Sequence, residues 1–389
     1  MKVLLFSSLF PSSVRPVHGI FVETRLRELI KSGEVEAKVV APVPWFPFKS
    51  PRFGQYAQFA ATPRKEHRNG LEVHHPRFAL LPKVGMHMAP HAMALGALPT
   101  IKRLQADGFD FDLIDAHYYY PDGVAASLLA RWLKKPYFVT ARGSDINLIA
   151  EMPRPRRRML AAAQAAAGSI GVSQALADRL VALGAPREKV HTLRNGVDPD
   201  RFAPQPRDVA RRRLGLSDSG TCFLMVGNLV ELKGHAIAIA ALAKLPGTVL
   251  LVVGAGPQEG ALRALAQGLG VQERVRFVGP VAQADLKWWY SAADVLLLCS
   301  SREGWPNVLL EAMACGTPVI STAVSGTPEM VNSPEAGVLM VRRDVDALLN
   351  AWQSLRASNP SRAATRAHAL RFAWSSTSQG QLALFRSVL

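Results

Sequence analysis

The stretch TVLLVVGAGPQEGALRALAQGLGVQERVRFVGPV, residues 248–281, contains the pattern that recurs along this chain. The apolar run TVLLVV ends in the glycine-rich turn GAGP, the predicted helix EGALRALAQGLG follows, and a second apolar run, VRFVGPV, comes next. Strands that alternate with helices, with few hairpin signals between them, are typical of a parallel sheet covered on both faces. The stretch therefore predicts an α/β fold built on doubly wound parallel sheets.

The alternation covers both halves of the chain. Predicted strands of the first half include KVLLF, VEAKVVAPV, LEVHHP, DLIDAH, PYFVTARG and IGVS, and the second half begins with CFLMVGNL. Between the halves, KVHTLRNGVDPDRF and a cluster of prolines mark a domain junction. We predict two Rossmann-like domains, residues 1–197 and 198–372, with a C-terminal helix at 373–389 that packs back on the first. Ligands of such sheets bind beyond the carboxyl ends of the strands, so the expected site is the cleft between the domains.

Composition favours a soluble globular protein, with 49% apolar and 20% charged residues among 389. No apolar run reaches the roughly 20 residues that a membrane-spanning helix needs. The start, MKVLLFSSLFPSS, is interpreted as a first buried strand rather than a signal peptide, because Ser and Pro break its apolar run. Three cysteines without metal-ligand spacing favour a reducing, cytoplasmic location.

The net charge of +16 lies mostly in residues 1–206. Such an excess suggests an anionic partner, which leaves nucleic acid, a phosphorylated substrate and an anionic membrane surface as candidates. A simple solvated basic surface is the alternative. No nucleic-acid-binding motif is present, so we expect no nucleic acid partner.

The stretch SREGWPNVLLEAMACGTPV, residues 301–319, follows a predicted strand and carries two acids, Glu303 and Glu311. Pro306 suits the first turn of a helix, whose free N–H groups attract an anion. Lys233 on a neighbouring loop adds a point charge, and the glycines after other strands let backbone approach a ligand. Together these features predict a diphosphate site.

The two glutamates suit hydroxyl groups rather than phosphate. A carboxylate accepts two hydrogen bonds from a vicinal diol. Glu311 lies five residues beyond Pro306, roughly 7 to 8 Å along a helix axis. Two acids on either side of a diphosphate fit a nucleotide sugar. The alternative is that Glu303 is a surface acid and Glu311 pairs with a basic neighbour.

This ordered set of motifs resembles glycosyltransferase family 4, retaining transferases of the GT-B fold. The resemblance rests on the E-x7-E segment of residues 303–311, on AMACGTPV and SGTPEMV after it, on GNL…KG at 227–234 and on NGVD at 195–198. It implies that Glu303 binds the donor sugar, Glu311 the ribose and Lys233 the diphosphate. One departure is Asn228, where the family often has Arg.

The first half matches the family more loosely. Gly19 in VHGIF stands where the family has a glycine-rich loop, and His117 ends the strand DLIDAH where the family has a histidine near the donor sugar. For His117 the alternative is a buried structural histidine. ARGSDIN resembles the family's His-Gly-x-Asp segment, with Arg142 in the histidine position and Asp145 as the acid. Arg142 is our candidate to replace the cation missing at Asn228, or to bind an anionic acceptor.

The candidate site combines these positions. The predicted catalytic residues are His117, Lys233 and Glu303. The predicted donor-binding residues are Gly19, Arg142, Asp145, Gly227, Asn228, Lys233, Gly254, Glu303, Gly304, Trp305, Asn307, Val308 and Glu311. We expect no metal and no cofactor, in keeping with the metal-independent fold that the resemblance implies. His74, His75, His87 and His91 are expected in a loop.

The resemblance implies a retaining hexosyltransferase that uses a nucleotide-diphosphate sugar, with UDP-sugar favoured and GDP-mannose as the second choice. The expected acceptor is a hydroxyl of a glycan or polyprenyl-linked molecule in cell-surface polysaccharide synthesis. The aromatic and basic region 44–104, together with MPRPRRRML, suggests peripheral attachment to the anionic cytoplasmic face of the inner membrane. A nucleotide-sugar epimerase and a basic nucleic-acid-binding protein are the alternative functions.

Overall fold

A computed structural model describes residues 1–80 and 85–389. They form two compact units, one made of residues 1–194 and 375–389 and the other of residues 195–374. Residues 81–84, part of the predicted aromatic and basic region, lie outside the described residues. Within the described part of the chain, no helix is both long and apolar enough to cross a membrane.

The first unit is an α/β sandwich. Its strands are β1 (Lys2–Phe6), β2 (Glu36–Val40), β3 (Val43–Pro44), β4 (Lys65–Arg68), β5 (Leu71–His74), β6 (Arg77–Phe78), β7 (Leu113–His117), β8 (Tyr137–Ala141), β9 (Gly168–Gly171) and β10 (Val190–Thr192). Its helices are α1 (Ile20–Ile30), α2 (Gln55–Ala61), α3 (Ala89–Ala106), α4 (Val124–Leu133), α5 (Ser144–Asn147), α6 (Pro153–Ala165), α7 (Gln174–Ala182) and, from the end of the chain, α16 (Trp374–Arg386).

The main sheet of this unit has the order β10-β9-β8-β7-β1-β2-β5-β4. Every pair in it is parallel except β4 with β5. The central strands are largely apolar because helices cover both faces, and all five residues of β7, including Asp115 and His117, are buried. Val22 and Leu26 of α1 pack against the sheet. In another part of the core, the ring centroids of Phe385 on α16 and Phe138 on β8 lie 5.0 Å apart. Each such buried side chain contributes about 1.5–3 kcal/mol.

The antiparallel β4–β5 pair is a hairpin that the sequence reading missed. Its turn is Asn69-Gly70, both in the left-handed region with φ of 47° and 80°. Asn-Gly is the strongest short-range hairpin signal, so the pattern was available. The loop expected around the histidines is also wrong, since His74 ends β5 and His75 is buried, bonded to Glu66 and to the Ala41 carbonyl.

The second unit repeats the architecture. Its strands are β11 (Thr221–Val226), β12 (Thr248–Val253), β13 (Val275–Gly279), β14 (Val295–Leu298), β15 (Val319–Thr322) and β16 (Gly337–Met340). Its helices are α8 (Arg207–Arg213), α9 (His235–Leu242), α10 (Glu259–Gly268), α11 (Leu286–Ala292), α12 (Asn307–Ala314), α13 (Thr327–Met330), α14 (Val345–Ser358) and α15 (Arg362–Leu370).

The second sheet is parallel throughout, in the order β13-β12-β11-β14-β15-β16. Numbered from the first strand of the unit, this order is 3-2-1-4-5-6, the doubly wound arrangement in which strand order reverses between the first and fourth strands. The reversal therefore lies between β11 and β14. Ligands bind outside the carboxyl ends of the strands at this switch point, so the loops that leave β11 and β14 are where a site is expected.

Candidate functional site

Glycines bring two loops of the second unit into close contact at the carboxyl ends of β11 and β12. A Cβ on Gly254 would lie 1.9 Å from the Gly227 carbonyl oxygen, and the φ of Gly254 is 137°. Any larger residue would separate the two loops. The backbone next to Gly227 is thereby held at the edge of the sheet, where a ligand can approach it.

Lys233 and Glu303 come together from the two loops that flank the switch point. The Lys233 ammonium donates to Glu303 Oε1 at 2.6 Å, and the side chains are 23% and 10% exposed. Gly234, with φ of 70°, allows this approach, since a Cβ there would lie 2.2 Å from the Cys299 carbonyl oxygen at the end of β14. The structure therefore brings together two of the predicted catalytic residues, one cation and one carboxylate.

The segment between the two glutamates is held by hydrogen bonds within its own unit. The Trp305 indole N–H donates to the Asn195 carbonyl at 2.9 Å, and the Asn195 amide donates to Asn307 Oδ1 at 3.3 Å. The helix was expected to start at Pro306, but Pro306 is the extended residue before it and α12 begins at Asn307. A proline is favoured near this point because its missing N–H costs no helical hydrogen bond.

Glu311 lies inside the unit, 8% exposed, on α12. The Tyr290 hydroxyl on α11 donates to its Oε2 at 2.7 Å. Burial raises the pKa of Glu311 to about 7, while the Tyr290 hydrogen bond and the charge of Arg201 oppose that shift. The alternative of a direct pair with a basic neighbour is not what the structure shows, since the side-chain bond of Glu311 goes to a neutral hydroxyl.

The remaining predicted donor residues of this unit line the same loops. Asn228 is exposed, directly after the Gly227 turn, whereas Gly304 is buried and Val308 is half-buried in the first turn of α12. These placements bring the predicted residues of the second unit to one edge of one sheet.

In the first unit, Gly19 lies in the connection after β1 and His117 is the last residue of β7; β1 and β7 are the central pair of that sheet. A Cβ on Gly19 would lie 2.2 Å from the Leu9 carbonyl oxygen, and its φ is 68°, so only glycine fits at the start of α1.

His117 is buried between the carboxylate of Asp115 and the guanidinium of Arg142. Its Nε2 lies 3.2 Å from Asp115 Oδ2, and Arg142 Nη2 bonds its Nδ1. Burial lowers the pKa of His117 to about 4, with Asp115 opposing and Arg142 adding to the shift. Arg142 also lies over the Phe21 ring, 5.1 Å from its centroid. The His117 imidazole is therefore neutral at physiological pH, and both of its nitrogens contact protein groups.

Asp145 is fully buried and caps the loop after β8. Its carboxylate accepts the backbone N–H groups of Tyr119 and Gly143, both at 2.8 Å, and those of Arg142 and Ile146 at 3.1 Å. In this structure its oxygens fix the loop that carries Arg142.

Sequence reasoning missed Tyr290 and Asp115, which contact Glu311 and His117. Neither lies in a recognisable motif. Tyr290 is separated from Glu311 by a strand and two loops, so only the packing of α11 on α12 reveals the contact. Asp115 is two residues before His117, on the same face of β7, and this spacing was the only available signal. Among residues 1–80 and 85–389, no group of three or more His, Cys, Asp or Glu side chains is placed to hold a metal ion.

Comparisons with known proteins agree with this architecture. Residues 206–371 match the family model described as "Glycosyl transferases group 1", and residues 56–201 match that of "Glycosyltransferase Family 4". A D-inositol 3-phosphate glycosyltransferase of Catenulispora acidiphila is 34% identical over 77% of this chain and 79% of its own length.

Solved structures show the same fold. The sucrose-phosphate synthase of Thermosynechococcus elongatus superposes with a TM-score of 0.79 at 22% identity, over 100% of this chain and 98% of its own. Anabaena Alr3699/HepE in complex with UDP-glucose gives a TM-score of 0.73 at 22% identity over all of both chains.

Two units with doubly wound parallel sheets and these structural neighbours define a GT-B glycosyltransferase fold, which confirms the predicted fold class. The relative in Catenulispora and the two family matches go further. The chain belongs to glycosyltransferase family 4, and it is a glycosyltransferase.

Proposed function

We propose that this enzyme transfers a hexose, with retention of anomeric configuration, from a nucleotide-diphosphate sugar held at the carboxyl edge of the second sheet. The observation that carries the proposal is the Lys233–Glu303 ion pair between the loops that leave β11 and β14, with Glu311 buried on α12, the helix that follows β14. A cation, a partly exposed carboxylate and a buried carboxylate are the groups that a diphosphate with diols on either side needs.

Each group has a role in this proposal. Lys233 neutralises the diphosphate, and Glu303, already oriented by Lys233, accepts hydroxyls of the sugar. Glu311 accepts the ribose hydroxyls while Tyr290 holds its other oxygen. The backbone at Gly227 and Gly254 provides close approach without side chains.

A UDP-sugar is the favoured donor. The support is that HepE, a protein of the same fold, has been crystallised with UDP-glucose. GDP-mannose is the second donor to test.

Glycosyl transfer passes through an oxocarbenium-like transition state in which charge builds on the leaving phosphate. Preorganised donors aimed at that charge supply most of the stabilisation, and Lys233 is the group placed for it. Glu311 lies in a helix with one oxygen bound by Tyr290, so it suits positioning rather than attack on the anomeric carbon. Retention through same-face attack, with a phosphate oxygen that takes the acceptor proton and without a metal, is the mechanism we propose.

The donor proposal is tested by thermal denaturation with UDP-, GDP- and ADP-sugars, because a ligand that binds the folded state raises its stability. We expect a UDP-sugar to stabilise the wild type and to have no effect on Glu311→Gln. Glu273→Gln, an exposed acid of the same unit, is the matched control and keeps the response. The donor site is refuted if millimolar concentrations of all three sugars leave the wild type unchanged.

We further propose a glycan or polyprenyl-linked acceptor and peripheral attachment to an anionic cytoplasmic membrane surface. The support is an aromatic cluster in residues 45–56, in which Phe46 contacts Phe48, Phe53 and Tyr56 with ring centroids 5.3–5.9 Å apart. Trp45 is 58% and Phe48 is 55% exposed, and Arg52 lies over the Phe53 ring. Exposed aromatics supply apolar area and neighbouring cations attract anionic lipids, the two contributions to binding at a membrane surface.

A flotation assay with vesicles containing anionic phospholipid tests the attachment. The wild type should float at physiological salt, and Trp45→Ser with Phe48→Ser should remain at the bottom. Trp132→Ser is the control, since that indole is 38% exposed on α4, outside the cluster. A wild type that stays at the bottom contradicts the attachment and leaves the donor proposal standing.

A further inference from the structure

A continuous line of buried hydrogen bonds joins the C-terminal helix α16 to Arg142 inside the first unit. Arg25 Nε donates to Gln381 Oε1 at 2.8 Å, and Gln381 Nε2 donates to Asp115 Oδ2 at 2.8 Å. Asp115 faces His117, which in turn bonds Arg142. Arg25, Gln381, Asp115 and His117 are each about 1% exposed.

The direction of every bond in this line follows from the chemistry of its ends. A guanidinium has only donors, so the Gln381 oxygen must point to Arg25 and its nitrogen to Asp115. For the same reason Arg142 must donate to His117, so Nδ1 of His117 carries no proton. The remaining ring proton then sits on Nε2 and is donated to Asp115. The line therefore sets a single tautomer of His117, with Nε2–H and a lone pair on Nδ1.

The buried carboxylate of Asp115 receives few other hydrogen bonds. Its Oδ1 has no hydrogen-bond partner among the residues that the structure describes, so Gln381 and His117 at Oδ2 carry the solvation of a buried carboxylate. Removing either donor from a buried acceptor is costly, and the remaining donor then rearranges. Arg25, anchored on the Leu193 carbonyl at 3.0 Å, adds a buried positive charge near this carboxylate.

We propose that Gln381 is a positioning residue, which acts through Asp115 and His117 to hold the Arg142 guanidinium as the anion-binding group of the first unit. The anion is a phosphate or diphosphate group of a substrate, and in this respect the inference rests on the proposed function. His117 is then an acceptor for Arg142 rather than a base toward the acceptor sugar. Phe21 under the guanidinium and the loop capped by Asp145 restrict Arg142 from its other sides.

The first test needs no enzymatic activity. In the full chain labelled with ¹⁵N-histidine, and with His117→Gln to assign the signal, His117 should show the neutral Nε2–H tautomer from pH 6 to 8. Gln381→Met keeps length and helix propensity but removes both hydrogen bonds. Asp115 is then free to rotate, which should loosen the bond between His117 and Arg142 and give a mixture of tautomers. Gln379→Met on the exposed face of α16 is the matched control and should match the wild type.

The second test is functional. Gln381→Met should weaken inorganic pyrophosphate binding and raise KM about tenfold for the phosphorylated substrate, as expected for loss of a buried hydrogen bond, with kcat changed less. Arg142→Met should show the same loss of pyrophosphate binding, and adding Gln381→Met to it should have no further effect. If Gln381→Met does not fold, Gln381→Glu keeps the acceptor for Arg25 and puts a carboxylate in place of the amide that donates to Asp115.

The outcomes separate this inference from the donor proposal. A wild-type His117 that is charged or protonated on Nδ1 overturns the inference, whatever the activity. So does unchanged pyrophosphate binding in Arg142→Met, or a Gln381 variant that matches Gln379→Met in both tests. If the tautomer and pyrophosphate results hold but no nucleotide sugar binds, the proposed donor is wrong and the Arg142 site stands.

Discussion

Glu311→Gln should stabilise the protein at alkaline pH and at the same time remove donor binding. The carboxyl group is 8% exposed, and burial raises its pKa from 4.5 to about 7. The folded state therefore holds the proton more tightly than the unfolded state. The favourable contribution of Glu311 to the free energy of unfolding is fully present below pH 4.5 and is lost as the pH rises through about 7.

The size of the effect follows from the shift. Each unit of pKa difference between the folded and unfolded states corresponds to about 1.4 kcal/mol, so ionised Glu311 costs about 3 kcal/mol in the folded state above pH 7. A glutamine has no charge to bury, and its oxygen still accepts the Tyr290 hydroxyl. The variant and the wild type should be equally stable near pH 4.5 and diverge up to about 3 kcal/mol by pH 8.

Urea denaturation of the full chain at pH 5 and pH 8 measures this difference, with Glu273→Gln as the exposed control. In the same samples, stabilisation by a UDP-sugar should be present in the wild type and absent in Glu311→Gln. Parallel pH profiles for the two proteins would refute the reasoning about burial. A Glu311→Gln variant that binds the donor normally would refute the role of the carboxylate.

Three further predictions concern the diphosphate. Asn228→Arg places a bidentate cation beside the Gly227 turn and should tighten UDP binding about tenfold by calorimetry; unchanged or weaker binding would show that Asn228 does not face the ligand. Lys233→Met should lower kcat at least a hundredfold, roughly the loss expected when one charge partner of the transition state is removed. A double-mutant cycle with Glu303→Gln should show a coupling energy above about 0.5 kcal/mol. Independent effects of the two substitutions would mean that the 2.6 Å ion pair between Lys233 and Glu303 is incidental. Transfer should continue at the same rate in EDTA, and activity that disappears and returns with Mg²⁺ or Mn²⁺ would contradict the metal-free mechanism.

The doubly wound fold could be predicted from the sequence because parallel strands covered on both faces are mostly continuous apolar runs. Runs such as TVLLVV and VLLL are visible without partners, and they became β12 and β14. Membership of glycosyltransferase family 4 and glycosyltransferase activity, both expected from the motifs, are confirmed by the relatives. The strand order is less visible, since it depends on which way each crossover turns. The short helix α2 was missed because it lies in an aromatic and basic stretch without a clear helical pattern, whereas the β4–β5 hairpin was missed although its Asn-Gly turn is visible in the sequence.

Side-chain partners were the part of the site that the sequence could not supply. His117, Arg142 and Asp145 were predicted as site residues from the motifs DLIDAH and ARGSDIN. The groups around them in the structure nevertheless give them different roles. Asp145 accepts backbone N–H groups and shapes a loop, whereas His117 is held neutral by burial, against the charge of Asp115 two residues away. Asp115, which contacts His117, also accepts a hydrogen bond from Gln381, 264 positions along the chain from His117. A motif specifies residue types at an edge of a sheet, but whether a buried nitrogen donates or accepts is decided by contacts that only the folded unit creates.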